Sequence, residues 1–432
     1  MKSPEITVLH ITAHLGGGVG KALSGLVSNT LRESHIKHTI ACLEPPEKQQ
    51  FLDKITGSGC EVCISPEHDE LCVLIEESDV VQLEWWNHPA TISTLCKGPL
   101  PPMRLLLWCH ISGLHNPIIP QALIQFANKC LFTSPCSYGA AEVSSLVEEH
   151  GEKMDVVHSS GGFEGLKPPK RTASDPLSVG YLGSLNFAKL HPRYVEFLKA
   201  VNVPGFTVRM IGDTTNKEIL ERQCEAISRK ELIQFRGYST DISSELSSIN
   251  VMAYLLNPEH YGTTENALLE TMAMEIVPIV LNNPAESYIV ENGVTGLVVQ
   301  SPNEFASAME WLFSNPSERI RLGKNAADSV KNKFSVDKMV STISKHYRSL
   351  LDNPKQLVNF NSVFGSTPSE WFLSCQKNPV FFRDSTIEMY DNNYSIYGLL
   401  EKTKGTVFHF HNYFPSDPLL SKWVNYVSSL SY

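Results

Sequence analysis

A polar segment at residues 261–273, YGTTENALLETMA, carries residue types suited to binding a nucleotide. Apolar runs at 251–256 and 276–280 flank it and predict buried strands, so a loop and a helix opening at Gly262, Thr263 and Thr264 are expected between them. A helix that begins at the carboxyl end of parallel strands offers unpaired backbone N–H groups to an anion. Glu270 falls within this helix, where its carboxylate can accept hydrogen bonds from sugar hydroxyls. The segment therefore predicts a nucleotide site.

A glycine-rich stretch, HLGGGVGK at 14–21, follows the first predicted strand directly. Gly16, Gly17 and Gly18 let the backbone approach a ligand closely, and the start of the next helix favours a phosphate. Leu15 stands where a P-loop has its first glycine, and Ala22 replaces the hydroxyl residue that would bind magnesium, so a partition-type ATPase is disfavoured. A tight turn after a buried strand is the structural alternative.

Two further candidates also follow predicted strands. Lys189 lies in the loop of YLGSLNFAK at 181–189, where one cation can meet a diphosphate, although an isolated loop lysine is usually just a solvated charge. His110 ends the very apolar run at 105–109. At the carboxyl end of a parallel strand its imidazole can bind a sugar hydroxyl or a changing charge, and a buried core histidine is the alternative.

The composition is that of a globular protein without nucleic-acid character. The chain has 432 residues, 42% of them hydrophobic and 19% charged, with a net charge of −10, which argues against a general nucleic-acid binder. No apolar run approaches the ~20 residues of a membrane span, and the first residues read as a strand rather than a signal peptide. Ten scattered cysteines indicate reduced thiols in a cytoplasmic protein, and the pair Cys60 and Cys63 lacks a second pair to complete a zinc site.

The elements that must position these residues alternate between strand and helix in two similar series. This alternation predicts two doubly wound parallel sheets, one in residues 1–175 and one in 176–350, with a proline-rich linker at 167–176 and a ligand-binding cleft between the domains. The predicted strands are 6–11, 38–43, 80–83, 104–108, 129–133 and 155–158, followed by 178–182, 207–211, 233–236, 251–255, 277–281 and 296–299. The predicted helices are 20–32, 137–149, 192–200, 217–225, 241–249, 265–273, 302–313 and 335–351.

The last part of the chain, residues 351–432, does not continue this alternation. It is rich in aromatic residues and is expected to be an appended, packed segment of unknown role. Within it, residues 406–411 read as a strand, with His409 and His411 on one face, and residues 420–430 as a short helix.

The combined motifs resemble the retaining GT-B glycosyltransferases, in the large family that includes sucrose synthases and bacterial mannosyl- and glucosyltransferases (glycosyl transferases group 1, family 4-like). The family signature is a Glu, a Gly-aromatic-Gly turn, and a second Glu opening Glu-Ala-Met-Ala before a Pro-Val-Val strand. Here YG at 261–262, LETMA at 269–273 and VPIV at 277–280 stand in those places, and ENGVTGLVV at 291–299, IGD at 211–213 and FRG at 235–237 match further positions. The resemblance runs from residue 5 to about residue 350 and is strongest in the second domain.

The resemblance implies a GT-B fold and transfer of a sugar from a nucleoside-diphosphate sugar, such as a UDP or GDP sugar, to a hydroxyl acceptor in polysaccharide or glycolipid synthesis. It implies that Glu270 holds the ribose, Lys189 neutralises the diphosphate, and His110 contacts the transferred sugar. The glycine loop would lie against the diphosphate and the donor sugar. No cofactor other than the donor and no metal is expected.

Two positions depart from the family pattern. The arginine that precedes the family lysine falls on Ser184, and the position eight residues before Glu270 is Gly262 rather than a glutamate. Either Glu259 or Glu265 is expected to take the place of that missing acid. A GT-B-shaped protein that binds nucleotide sugars but has lost catalysis is therefore the alternative from a different functional class.

Overall fold

The computed structural model describes residues 5–30, 35–384 and 395–430, which form two compact units. Unit 1 comprises Met1–Gly161, Tyr261–Thr263 and Val336–Tyr432, and unit 2 comprises Gly162–His260 and Thr264–Ser335. Within these described ranges, no helix is both long and apolar enough to span a membrane.

Unit 1 contains a parallel sheet of seven strands in the order β3-β2-β1-β4-β5-β6-β7. The chain order reverses between β1 and β4, and ligands bind outside the carboxyl ends of the strands at such a switch point. The strands are β1 (Ile6–Thr12), β2 (Ile36–Cys42), β3 (Glu61–Ile64), β4 (Val80–Trp85), β5 (Leu105–Cys109), β6 (Lys129–Phe132) and β7 (Met154–Val156).

Unit 2 contains a parallel sheet of six strands in the order β10-β9-β8-β11-β12-β13, with its own switch point between β8 and β11. Two doubly wound sheets are the predicted fold class, and the structure confirms it. The strands are β8 (Val179–Leu182), β9 (Val208–Ile211), β10 (Ile233–Gly237), β11 (Val251–Tyr254), β12 (Val277–Leu281) and β13 (Leu297–Val299).

Helices connect the strands and follow the sheets. Those of the first series are α1 (Gly17–Thr30), α2 (Gln49–Gly57), α3 (His68–Glu77), α4 (Pro89–Cys96), α5 (Gln121–Phe126), α6 (Ala141–Ser144) and α7 (Val147–His150). Those of unit 2 are α8 (Tyr194–Ala200), α9 (Lys217–Ala226), α10 (Ile242–Ser247), α11 (Asn266–Ala273), α12 (Pro284–Ile289), α13 (Pro302–Ser314) and α14 (Pro316–Lys333). The last helices are α15 (Val336–Leu350), α16 (Asn361–Phe364), α17 (Pro368–Ser374), α18 (Val380–Asp384), α19 (Ser395–Leu400), α20 (Val407–Tyr413) and α21 (Pro418–Ser428).

The strand β5 shows why the first sheet is buried on both faces. Leu105, Leu107 and Cys109 belong to one hydrophobic cluster, whereas Leu106 and Trp108 belong to another. Successive side chains of a strand point to opposite faces, so a continuous apolar run is typical of a strand covered on both sides.

All the predicted strands are present with small shifts at their ends, but several other predictions are wrong. Residues 137–149 do not form one helix, because α6 and α7 are separate short helices after a 3₁₀ turn at Pro135–Gly139. Residues 406–411 are not a strand: they lie largely in α20, whose Val407, Phe408 and Phe410 are buried. Helix α21 confirms the helix predicted at 420–430, whereas α1 begins before the predicted start at residue 20 and its predicted end at Arg32 lies outside the described residues.

The carboxyl-terminal region of the chain belongs to unit 1. Helix α15, which the sequence pattern groups with the second domain, places Met339, Ile343 and Tyr347 in the same cluster as Val8 and Trp108. The helices after it contribute to the other face, and the ring of Phe364 stacks on Trp85 with a centroid separation of 5.4 Å.

The proline-rich segment at 167–176 lies within unit 2, where it is fixed by several contacts. Thr172 and Asp175 form a local turn, with the Thr172 hydroxyl 2.8 Å from the Asp175 carboxylate. The Arg319 guanidinium donates to the Asp175 carbonyl at 2.5 Å. These contacts hold the segment against α14.

Candidate active site

Lys189 and Glu265 form an ion pair at the carboxyl ends of adjacent strands of unit 2. Lys189 lies in the loop after β8, and its carbonyl accepts from Asn257 N at 2.7 Å, which fixes the loop beside the segment after β11. The Lys189 ammonium is 2.7 Å from Glu265 Oε2, and the same oxygen accepts from the Tyr254 hydroxyl at 2.7 Å. Glu265 is only 3% exposed, so its charge depends on these partners.

A histidine links this carboxylate to a second one. His260 Nε2 is 2.9 Å from Glu286 Oε1 on α12, and its Nδ1 is 3.9 Å from Glu265 Oε1. Burial alone would lower the pKa of His260, but the Glu286 carboxylate raises it above the usual histidine value. Burial alone would raise the pKa of Glu265, but Lys189 and His260 lower it. The cluster is thus an alternating row of charges, Glu286, His260, Glu265 and Lys189.

A second polar pair lies after the neighbouring strands β8 and β9. The Ser184 hydroxyl donates to Asp213 Oδ2 at 2.5 Å, and Leu185 N and Thr215 N also donate to this carboxylate. The position that carries an arginine in the family pattern therefore holds a serine bound to an acid. A Cβ on Gly212 would lie 1.9 Å from the carbonyl oxygen of Gly183, so the backbones of the two loops meet at van der Waals contact.

Helix α11 (Asn266–Ala273) begins one residue after the start of the predicted helix 265–273. Glu265 is its N-cap residue but forms no side-chain cap hydrogen bond, because its carboxylate binds Tyr254 and Lys189 instead. The predicted opening of the helix at Gly262, Thr263 and Thr264 is wrong.

The residues before α11 are divided between the units, and Glu270 lies in the helix itself. Gly262 and Thr263 group with unit 1, where the Thr263 hydroxyl is hydrogen-bonded to that of Thr133, and Thr264 groups with unit 2. Glu270 lies in α11 as expected and is 6% exposed. The other acidic candidate, Glu259, has no ion pair in the part of the chain that the structure describes.

In unit 1, His110 is anchored by a buried carboxylate. Its Nε2 is 2.7 Å from Oε2 of Glu84, a fully buried residue in β4, and its backbone N–H donates to Trp85 O at 2.9 Å. Burial alone would raise the pKa of Glu84, but hydrogen bonds from His10 and His110 lower it to about 2. The ionised carboxylate can only accept, so His110 Nε2 carries a proton, and in a neutral imidazole this leaves Nδ1 as the acceptor nitrogen. This Nδ1 has no hydrogen-bond partner among the described residues.

Behind Glu84 the polar network continues into the sheet. Its Oε1 lies 3.0 Å from His10 Nδ1 and accepts from Gln82 Nε2 at 2.6 Å, and His10 Nε2 lies 2.8 Å from His38 Nδ1. The Tyr347 hydroxyl of α15 donates to Gln82 Oε1 at 2.5 Å. The network therefore connects three strands and one helix to a single histidine at the strand end.

The glycine loop lies at the carboxyl end of β1. Gly17 opens α1 with φ +53°, a conformation that favours glycine, and Gly16 accepts from Gly20 N at 2.9 Å. A Cβ on Gly16 would lie 2.1 Å from Glu47 Oε2 and 2.9 Å from His14 Nδ1, so no larger residue fits there without displacing Glu47.

The structure thus places the sequence candidates in separate groups. It brings together Lys189 and Glu265, and it joins neither of them to Ser184, whose partner is Asp213. Sequence reasoning missed Glu84, His260 and Glu286. A charged residue within the apolar run VVQLEWW was a signal for Glu84, but nothing in the local sequence indicated the pairing of His260 with a residue 26 positions later.

Comparison with known proteins shows what part of the chain is similar to glycosyltransferases. The sequence profile of glycosyl transferases group 1 matches residues 164–329. The capsular polysaccharide biosynthesis glycosyltransferase CapM of Staphylococcus aureus is 25% identical over 183 residues, which cover 41% of this chain and 47% of CapM. The match thus spans about half the length of that relative.

Two solved structures share the fold. A glycosyltransferase from Rickettsia africae has a TM-score of 0.62 and 15% identity, with 81% of this chain and 100% of that chain covered. Anabaena HepE in complex with UDP-glucose has a TM-score of 0.62 and 14% identity, with 80% and 100% covered. The two sheets and the solved structures show a GT-B fold, and residues 164–329 of the chain are similar to the group 1 glycosyl transferases.

Proposed function

We propose that this protein transfers a sugar from a nucleoside-diphosphate sugar to a hydroxyl acceptor, with retention of configuration at the anomeric carbon. The observation that carries the proposal is the Lys189–Glu265 pair at the strand ends of the unit that matches the family profile. A preorganised cation beside a carboxylate suits a ligand with a diphosphate at one end and sugar hydroxyls at the other.

In the proposed reaction, the bond between the anomeric carbon and the diphosphate oxygen breaks, and its electron pair stays with the diphosphate. The acceptor oxygen bonds to the same carbon, and its proton passes to the leaving diphosphate. Lys189 stabilises the charge that develops there, Glu265 accepts hydrogen bonds from the donor sugar, and Glu270 holds the ribose. The start of the glycine loop and α1 favours an anion, and His110 Nδ1 accepts a hydrogen bond from a sugar hydroxyl.

Several finer points belong to the same proposal. No metal and no cofactor besides the donor take part, since a lysine and backbone N–H groups supply positive charge. UDP-glucose is the first donor to test because HepE binds it, and a glycan the first acceptor because CapM acts in capsular polysaccharide biosynthesis. The ten free cysteines support a reducing compartment such as the cytoplasm.

The test combines binding with turnover. Melting temperatures are measured with UDP, GDP, ADP and dTDP, where a ligand at 100 times its Kd stabilises by about 2.7 kcal/mol. Transfer from the matching nucleotide sugars is then followed with and without EDTA, and NMR gives the anomeric configuration of the product. The expected result is EDTA-resistant transfer with retention, reduced by about 10²–10³-fold in Lys189→Ala. Lys199→Ala, which removes an exposed lysine of α8, is the control.

A second candidate, a nucleotide-sugar-binding protein without catalysis, is favoured by Ser184. It stands where the family has an arginine and hydrogen-bonds to Asp213, so this position supplies no cation. Nucleotide-induced stabilisation without transfer to any acceptor supports this candidate. The absence of stabilisation by all four nucleotides overturns both.

A further inference from the structure

A group of unused hydrogen-bond donors lies at the start of α1, within unit 1. The helix runs for 14 residues from Gly17, and the backbone N–H groups of Gly17, Gly18 and Val19 have no acceptor in the described ranges. Helix starts carry a partial positive charge and bind anions through such groups. A helix start alone does not define a binding site, so a site here also requires neighbouring side chains that can bind an anion.

His14 provides the second observation. It is 7% exposed, and its Nε2 lies 3.0 Å from the ammonium of Lys404, which can only donate, so Nε2 is the acceptor. Burial and Lys404 lower the pKa of His14 to about 4, so the ring is neutral and Nδ1 carries its proton. Nδ1 has no hydrogen-bond partner, and Glu47 Oε2 is 3.6 Å away. Nδ1 faces Gly16, directly before the helix.

Lys404 comes from the carboxyl-terminal segment and is held in place by its neighbour. Gly405 has φ +81°, and a Cβ there would lie 2.5 Å from Asn87 Oδ1. Asn87 Nδ2 donates to the Gly405 carbonyl at 2.8 Å, and Gly405 N donates to His409 Nδ1 at 2.9 Å. These contacts fix the backbone beside Lys404, so its ammonium reaches His14 from a defined position.

Glu47 neutralises this group of donors in the structure. Its Oε1 is 2.6 Å from the Lys404 ammonium and its Oε2 lies against Gly16, yet its side chain is 43% exposed. The carboxylate of this exposed Glu47 side chain therefore lies beside the helix start, where an incoming anion would bind. Because it is not enclosed, it can be displaced.

We propose that Lys404, His14 Nδ1 and the free N–H groups at the start of α1 bind a phosphate group, which displaces the Glu47 carboxylate. A phosphate suits this arrangement better than a carboxylate, because its several terminal oxygens can accept from five donors that approach from different directions. The start of α1 is already an anion site in the proposed function, and the new element is that His14 and Lys404 complete it. The source of the phosphate rests on that function: it belongs either to the donor diphosphate or to a phosphate-bearing acceptor. The carboxyl-terminal segment thereby contributes a ligand-binding residue.

The test measures pyrophosphate and UDP binding to the full chain by calorimetry, with uridine as the phosphate-free probe. Lys404→Ala is expected to weaken pyrophosphate and UDP binding by about tenfold or more, the effect of one charge-assisted hydrogen bond, and to leave uridine binding unchanged. Lys404→Arg should retain binding. Lys402→Ala is the matched control, because this lysine lies on the same segment but its ammonium is over the Phe408 ring, 5.5 Å from the centroid.

Glu47→Gln gives a result of opposite sign. It removes the competing charge and is expected to tighten pyrophosphate binding severalfold, which a folding defect cannot do. No pyrophosphate binding to the wild-type chain, equal binding by Lys404→Ala and Lys402→Ala, or weaker binding by Glu47→Gln each overturns the proposal. If pyrophosphate binding depends on Lys404 but none of the nucleotides stabilises the protein, the phosphate site is retained and the nucleotide-sugar donor of the proposed function is rejected.

Titrating pyrophosphate into protein saturated with UDP identifies the source of the phosphate. Loss of Lys404-dependent binding shows that the site holds the donor diphosphate. Continued Lys404-dependent binding shows that it serves a second, phosphate-bearing substrate.

Discussion

The carboxylate of Glu84 is 2.7 Å from Nε2 of His110, and Glu84 has no exposed surface. This contact decides which nitrogen of His110 faces outward as an acceptor. Glu84 is therefore a positioning residue: it acts on the proposed sugar contact through the histidine.

Glu84→Gln is expected to lower kcat by about 10²-fold, the usual effect of a misplaced proton donor or acceptor, with KM nearly unchanged. The amide can turn its NH₂ group toward His110, which favours the other tautomer. Steady-state kinetics checks this, with exposed Glu61→Gln in β3 as the control. A rise in KM at unchanged kcat would instead assign Glu84 to ground-state binding.

The same substitution should change acid stability. The pKa of Glu84 is lowered from 4.5 to about 2, so the carboxylate stabilises the fold above pH 4.5, and this contribution is lost as pH falls toward 2. This pKa shift corresponds to a contribution of about 3 kcal/mol to the free energy of unfolding above pH 4.5. Urea unfolding between pH 5 and pH 2.5 should show a steeper loss of stability in the wild type than in Glu84→Gln. His10, His110, His38 and Tyr347 are the other titratable groups facing this site. Parallel pH curves for the two proteins would contradict the expectation.

Lys189 is expected to serve both stability and activity, and a double-mutant cycle separates them. Lys189→Ala leaves the Glu265 charge buried beside fewer partners, which typically costs about 3–5 kcal/mol. Adding Glu265→Gln should recover most of that stability because the buried charge is gone, yet it should not recover turnover. Urea unfolding and transfer assays on the four proteins check both arms. Recovered turnover in the double variant would show that Lys189 acts only by neutralising Glu265.

His260 should make stability fall in alkaline solution. Its pKa is raised by Glu286 and Glu265, against burial and the opposing charge of Lys189. The imidazolium therefore stabilises the fold fully below pH 6.5, and the contribution is lost as pH rises through the folded pKa. Urea midpoints at pH 6 and pH 9 should differ more in the wild type than in His260→Gln. An unchanged difference would show that His260 does not carry this charge.

Gly212→Ala is expected to destabilise the protein by more than about 3 kcal/mol, because the new Cβ would lie 1.9 Å from a backbone oxygen that cannot move aside. Gly57→Ala is the opposite case: its Cβ meets nothing within 4 Å at the end of α2, so a gain of about 0.5–1 kcal/mol is expected. Thermal unfolding checks both expectations: the melting temperature should fall in Gly212→Ala and rise in Gly57→Ala.

The sequence patterns predicted every strand except β3, because apolar runs such as 105–109 are buried whatever packs on them. The edge strand β3 was missed, and none of its residues is fully buried. The patterns were insufficient where tertiary contacts decide the structure. Residues 406–411 look strand-like because they are aromatic and β-branched, but their packing against α17 and α21 favours a helix. Lys189, Glu265 and His110 were each identified because they follow a predicted strand. The contacts Lys189–Glu265, Glu84–His110 and His260–Glu286 were not predicted, because each joins residues too far apart in the sequence for a local pattern to show.

The return of the chain to unit 1 at Val336 has a consequence for biosynthesis. All residues of unit 2 have been synthesised once the ribosome passes Ser335, whereas unit 1 still lacks α15 and everything after it. Until then the apolar face formed by Val8, Val80 and Trp108 lacks the side chains of Met339 and Ile343 that cover it in the native protein. The amino-terminal unit is therefore the last to be completed, and a nascent chain at that stage depends on protection of this face from aggregation.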